Sequence, residues 1–263
     1  MRLRDRLGDR VARQIKRQIK KQLAAGRFRA RRFAFRPLRG NEAVVVMCLW
    51  NRPSRLSHIL SMIDAQDAPH GVRLFLWNNN RLDHAGYLAT LNEFAATGVL
   101  ASVDIVRSPF NLGAIARFYW ARRLAIHGYR GPVIVLDDDE NVQPSFVSTA
   151  LDHWRPKVLT AWWAFSITGG YWDRAPAEYG GRVDYAGTGG RVCGAEIFLD
   201  PRFFEDIPEL FWSLDDIWLN YFAKQRGFGM AKLPVEIEFV MHETNHFHNN
   251  ILLKEEFYNY LYP

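Results

Sequence analysis

From residue 43 onward the apolar positions come in short runs separated by stretches of helical spacing. Residues 43–49 read as a buried strand, and residues 72–77, 103–106 and 133–136 repeat the pattern. Between them, residues 54–65, 88–97 and 114–127 place apolar side chains at the intervals of amphipathic helices. Strands alternating with helices predict right-handed crossovers and an α/β fold with a mostly parallel central sheet flanked by helices. A further helix is expected over residues 217–226 and a strand over 235–241. Upstream, Leu3, Leu7, Val11, Ile15, Ile19 and Leu23 recur every fourth residue in a field of Arg, Lys and Gln. On a helix they form a slowly drifting apolar stripe flanked by cations.

Composition sharpens this picture. At 48% apolar and 14% aromatic residues, the 263-residue chain can bury a substantial core, which excludes a disordered protein. The net charge of +6 is unevenly spread, because residues 1–39 hold fifteen Lys or Arg against Asp5 and Asp9. Those residues are +13 and the remainder is −7, so the basic character belongs to the leader and the only clear boundary falls at residues 39–41. A basic amphipathic helix of this kind fits an anionic membrane surface. It fits equally a helix docked on the protein's own body or on a second subunit. No nucleic-acid module follows it, so nucleic acid is not an expected partner. Cys48 and Cys193 lie in strand-like stretches and define neither a disulfide scaffold nor a metal knuckle, as in a reducing compartment. No apolar run approaches the roughly 20 residues of a spanning helix. The start lacks the apolar centre of a secretory signal. The expected location is the cytoplasm, with residues 1–39 as the means of peripheral attachment to the inner face of the membrane.

Candidate chemistry gathers where the strands end. The first runs into Asn51-Arg52-Pro53, the second into Asn78-Asn79-Asn80-Arg81 and the fourth into Asp137-Asp138-Asp139-Glu140. Ligands of such sheets collect beyond the carboxyl ends of the strands. If strand geometry continues into the acidic cluster, Asp137 and Asp139 share one face and Asp138 turns away. Two close carboxylates call for a cation between them, and a hard Mn²⁺ or Mg²⁺ readily shares oxygen ligands with phosphates. Such an ion neutralises charge on a departing nucleoside diphosphate. The plain alternative is a solvated acidic turn.

The ordered set Asn51-Arg52, Trp77-Asn78-Asn79, the segment from Asn111 to Phe118, Asp137-Asp138-Asp139 and Leu214-Asp215-Asp216-Ile217 resembles the glycosyltransferase A fold. Within it, the chain is most similar to exostosin-like and bacterial family-2 transferases. The resemblance spans residues 43–233 and implies a glycosyltransferase domain over 40–263, with a nucleotide-binding half (40–140) and an acceptor half (141–263). It implies metal-dependent transfer of a hexosyl or N-acetylhexosaminyl group from a UDP-sugar to a glycan or lipid-linked hydroxyl. Asn51 and Arg52 would lie under the diphosphate, Asn78 at the uracil edge beside Asn79, and Arg117 at the nucleotide sugar. Asp137, with Asp138, would approach the ribose or donor sugar and share the metal with Asp139, its direct ligand. Gly189 and Gly190 would border the sugar, and Asp216, with Asp215, would stand at the reacting centre. The residues themselves also permit a turn at 78–80, a solvated Arg117, and plain helix caps at Asp215 and Asp216.

Residues 141–263 are rich in large rings, of which Trp172 and Trp212 are expected to be exposed, because polar and glycine-rich segments surround them. His242-Glu243-Thr244-Asn245-His246 spells a zinc-protease signature, but it follows a strand-like stretch and its Thr-Asn centre is a poor helix former. In several transferases of the resembled fold a late histidine completes the metal shell, which makes His242 or His246 a candidate. Inversion with Asp216 as general base, and retention with Asp216 stabilising an oxocarbenium-like centre, are both open. A non-catalytic sugar-binding module on the same scaffold and a nucleotidyltransferase are the competing function classes. The second usually carries a glycine-rich, lysine-bearing loop where this chain has Asn51-Arg52-Pro53-Ser54-Arg55.

Overall fold

The computed structural model describes residues 3–187, 189–240 and 251–263, with side chains from Gln14 onward. Along the chain run α1 (Leu3–Ala24), β1 (Arg31–Ala34), β2 (Ala43–Leu49), α2 (Leu56–Asp64), β3 (Val72–Asn78), α3 (His84–Glu93) and β4 (Leu100–Arg107). They are followed by α4 (Phe118–Ile126), β5 (Pro132–Leu136), β6 (Glu140–Val142), α5 (Phe146–His153), β7 (Val158–Ala161), β8 (Ala164–Ile167), β9 (Arg174–Pro176), β10 (Tyr185–Ala186) and β11 (Arg191–Gly194). The chain ends through α6 (Arg202–Glu205), α7 (Asp215–Lys224), β12 (Gly229–Lys232), β13 (Ile237–Phe239) and α8 (Ile251–Leu261).

Eight strands form one mixed sheet in the order β1-β4-β3-β2-β5-β11-β7-β12. Its centre, β4-β3-β2-β5, is parallel, and β11 lies antiparallel between β5 and β7. The fold is therefore α/β, a large mixed sheet of mostly parallel strands flanked by helices. The chain leaves β2 toward β3 and β4, then returns to β5 on the other side of β2, so the winding reverses between β2 and β5. The carboxyl ends of these two strands border the crevice where such sheets take ligands.

Alternation along β2 divides the core. Val44 and Val46 face α4, α7 and α8, whereas Val45 and Met47 face α2, α3 and α5. The 43–49 strand is found with the expected bounds, and β4 is longer than its apolar centre. The third helix lies earlier than expected, at His84–Glu93 rather than 88–97. Asp64 is the reason. Its buried carboxylate accepts from the backbone N–H groups of Thr97, Gly98 and Leu100, each at 2.8 Å, and so holds residues 97–100 out of a helix. The segment 114–127 opens with a 3₁₀ turn over Ala114–Arg117 before α4.

The basic segment is not wholly separate from the body. β1 adds antiparallel to β4, with Arg32 donating to Asp104 at 2.9 Å. The last turn of α1 enters the core through Leu23 and Ala24, whose carbonyl accepts from Arg122. Among the described residues no helix is long and apolar enough to cross a membrane.

Candidate active site

Three polar segments do meet at the switch point. Asn51, at φ +57°, accepts through Oδ1 from Asn80 Nδ2 at 2.7 Å, a left-handed turn that asparagine tolerates well. Arg52 donates through its two terminal nitrogens to Asp138 and, at 3.3 Å, to Asp139. Asp138 also accepts from the Trp50 N–H at 2.8 Å, and Arg55 donates to the carbonyls of Asp138 (2.6 Å) and Glu140 (3.0 Å). The loop after β2 thus grips the loop after β5 at several points.

The aspartates do not continue the strand as expected. β5 ends at Leu136, and Asp137-Asp138-Asp139 form a tight turn closed by the Glu140 N–H donating to the Asp137 carbonyl at 3.4 Å. Asp138 nevertheless turns away, buried against Arg52 and Trp50, while Asp137 and Asp139 stay partly exposed at 29% and 17% of their side chains. Burial, opposed by Arg52, pushes the Asp138 carboxyl up to about 7. Burial and the neighbouring Asp137 raise both Asp139 and Glu140 above the usual carboxylate range.

Arg117 is the opposite of a solvated helix charge. Only 1% exposed, it donates to Asp137, to the Leu136 carbonyl at 3.2 Å, and to Asp215 at 3.1 and 3.4 Å. Burial works against its charge, but Asp137 and Asp215 outweigh it and hold the guanidinium well above its ordinary value. The turn carrying Arg117 is fixed by Gly113, at φ +70°, where a Cβ would stand 2.6 Å from the Trp212 carbonyl oxygen. Asn79 braces the same turn, accepting from Leu112 N–H at 3.2 Å and donating to the Gly113 carbonyl at 2.9 Å.

Asp215 and Asp216 are not caps of α7. Leu214 occupies the cap position, and the two aspartates open the first turn, where the helix dipole favours negative charge. Asp215 is buried against Arg117, burial pushing its carboxyl up to about 6. Asp216 is half-buried and accepts from the Tyr185 hydroxyl. Asn220 staples α7 to β10 through Ala186, at 2.8 and 2.6 Å.

Gly189, at φ +80°, lies against Glu140, and an added Cβ would fall 1.6 Å from Glu140 Oε1. Gly189→Ala should therefore lose roughly 2–4 kcal/mol, from left-handed strain and a displaced buried carboxylate. A urea unfolding curve indistinguishable from the wild type would refute this packing. Gly190 takes the same sign of φ, and its carbonyl accepts from Trp162 N–H at 3.0 Å.

Not every expected residue reaches the crevice. Asn78 is fully buried, its Oδ1 accepting from Asn80 N–H at 2.8 Å and its amide nitrogen 3.3 Å from His84 Nδ1. With Asn79 occupied as above, neither amide presents a free edge to a base. Trp212 is 5% exposed rather than open to solvent, stacked near Phe110 under the Lys20 ammonium, whereas Trp172 is 42% exposed as expected. His242 and His246 lie outside the described residues.

Three participants carried no assigned role in the sequence. Arg191 is fully buried and donates to the carbonyls of Gly187 (2.8 Å) and Ala186, fixing the start of the glycine loop. An arginine opening an apolar strand after Gly189-Gly190 was its signal. Glu140 holds the Asp137 N–H at 3.0 Å, and its Oε1 has no hydrogen-bond donor among the described residues. Tyr185 had no signal, since its role depends on β10 packing beside α7.

The connected set contains six carboxylates (Asp137, Asp138, Asp139, Glu140, Asp215, Asp216) and four guanidiniums (Arg52, Arg55, Arg117, Arg191), an excess of two negative charges. Protons or a divalent cation can balance that excess. Among the described residues no three His, Cys, Asp or Glu side chains are arranged to hold an ion by themselves. A metal here would draw two ligands from the described residues, with substrate and water able to supply others, as is usual for Mg²⁺ beside phosphates. The chain matches no protein-family model and no curated protein.

Proposed function

We propose that this chain is a metal-dependent glycosyltransferase that takes its sugar from a nucleoside-diphosphate donor, UDP-linked, and moves it to a glycan or lipid-linked hydroxyl. One observation carries the reading: a partly exposed Asp137/Asp139 pair sits at the β2/β5 switch point, within one carboxylate-rich hydrogen-bonded network with Arg52, Arg117 and the first turn of α7. The winding β4-β3-β2-β5 with an antiparallel β11 beside it is compatible with the glycosyltransferase A fold.

In this reading Asp137 and Asp139 hold Mn²⁺ or Mg²⁺, which when bound stabilises charge on the departing diphosphate. Arg52 has two uses. Paired with Asp139 at 3.3 Å it offsets charge at the rim, and a diphosphate would offer it a stronger partner, which would free Asp139 for the cation. Arg117 keeps Asp137 and Asp215 at a fixed separation. Asp216, oriented by Tyr185, is the carboxylate at the reacting centre, as general base for inversion or as electrostatic support for retention. Exposed Trp172 lies on the acceptor side, beside Tyr171, whose hydroxyl is 3.4 Å from that of Tyr185.

A panel of nucleotide sugars assayed for Mn²⁺-dependent UDP release, with and without glycan acceptors, tests the reading. A donor that is bound yet never turned over, whatever the acceptor, would favour a sugar-binding module; formation of a nucleotide sugar from sugar phosphate would favour a nucleotidyltransferase. Asp216→Asn should keep donor affinity while lowering kcat by about 10²–10⁴-fold. Weakened donor binding with normal turnover at saturation would instead make Asp216 a binding group.

A further inference from the structure

A cavity of about 400 Å³ opens between the end of α1, the turn after it and the end of β4. Its floor is apolar, built from Leu23, Phe28 and Val106, and it is rigid: Phe28 packs edge-on against Trp77 and Trp120 with ring centroids 5.1 and 4.9 Å away. Its mouth carries Arg27, Arg29 and Arg107, all exposed, and no carboxylate pairs with any of them among the described residues. An apolar recess under three unpaired guanidiniums suits a molecule with an acyl tail and an anionic head. Free phosphate would use only the mouth, and a neutral lipid only the floor.

The surroundings point the same way. Among the described side chains, α1 is docked along its second half, where Leu23 and Ala24 are buried, Lys20 lies over Trp212 and Lys16 pairs with Glu209 at 2.8 Å. Ile15, on the stripe that continues toward the start of the chain, is 55% exposed beside exposed Arg17. Arg107 is the sheet partner of Asn78, so the cavity opens at the same carboxyl edge of the sheet as the candidate active site. We infer that this cavity is a binding site for the phosphate head and proximal acyl chain of an anionic membrane lipid, which seats the protein on a bilayer through α1 with its active-site edge toward the surface. The inference stands on the cavity and its charge and does not need the transferase reading.

The test uses the full chain, because residues 23–34 are part of the folded body. Flotation with phosphatidylcholine vesicles, with and without phosphatidylglycerol, should show binding only to the anionic ones. Arg27→Glu, Arg29→Glu and Arg107→Glu together should weaken it by about a hundredfold. Gln22→Trp, at the cavity wall, fills the recess without changing charge. It should reduce binding of short-chain phosphatidylglycerol in calorimetry by about tenfold while leaving the weak binding of inorganic phosphate unchanged. Equal flotation with both vesicle types, wild-type flotation of the triple variant, or short-chain lipid binding insensitive to Gln22→Trp would each overturn the site. UDP release from a donor, assayed without lipid, reports separately on the active site.

Discussion

Replacing Arg117 with Met should cost about 3–5 kcal/mol of stability. Methionine fills the space of the arginine stem, so packing is largely kept and the loss is electrostatic. Asp215, 1% exposed, keeps no ion-pair partner among the described residues, only the more distant field of Arg191, and Asp137 loses the partner that fixes it. The sign of the pH dependence follows from burial. With Arg117 present the Asp215 carboxyl already sits at about 6, above its unfolded value of roughly 3.9. Removing the guanidinium raises it further, so over the interval between the unfolded and folded values the native state holds a proton that the unfolded chain has released. Stability contributed by such a group falls as pH rises. The deficit of Arg117→Met should therefore be larger at about pH 8 than at about pH 5, and Asp215→Asn in the same chain should recover part of it. Urea unfolding at the two pH values measures both. A deficit below about 1 kcal/mol, or one that shrinks as pH rises, would show that Arg117 does not hold these charges together.

The arginine also marks what the sequence could disclose. The β2, β3, β4 and β5 strands were legible because strands buried on both faces must be continuously apolar, and the convergence of 51–52, 78–81 and 137–140 followed from parallel winding alone. That winding brought Asp137 and Asp139 beside the ends of the first two strands, whereas Arg117 and Asp216 were added to them only by the family resemblance. Neither could say what each side chain touches. Asn78 and Asn79 stand at the right strand end, yet their amides serve the turns at 80 and 112–113, because those buried backbone groups need partners. Trp212 was misjudged because its neighbours in sequence are polar, whereas the rings and cation that cover it come from Phe110 and from Lys20 on α1. Tyr185 was missed for the same reason: its role arises where β10 and α7 meet, a contact that no local pattern encodes.

Asp139→Ala should remove the coupling between Mn²⁺ and UDP while leaving the fold nearly intact. Asp139 is partly exposed and its ion pair with Arg52 is long at 3.3 Å, so its removal should cost no more than about 1 kcal/mol. Ligand binding is where the loss should appear. In the wild type, UDP with Mn²⁺ at about a hundred times the dissociation constant should stabilise the protein by about 2.7 kcal/mol, and UDP with a chelator by far less. The stabilisation requires the cation because the diphosphate would otherwise lie against Asp137, Asp139 and an excess of carboxylates that Arg52, Arg55, Arg117 and Arg191 do not fully offset. Without Asp139 the rim keeps one carboxylate for the ion, and the Mn²⁺-dependent gain should disappear, with UDP release from a donor falling on the order of a hundredfold or more. Thermal unfolding of wild type and variant, with UDP, Mn²⁺, both and neither, separates the cases without knowledge of the donor sugar. A stabilisation by UDP that is the same with chelator as with Mn²⁺ would mean that the arginines alone carry the diphosphate. A Mn²⁺-dependent gain surviving intact in Asp139→Ala would move the ion away from the turn after β5.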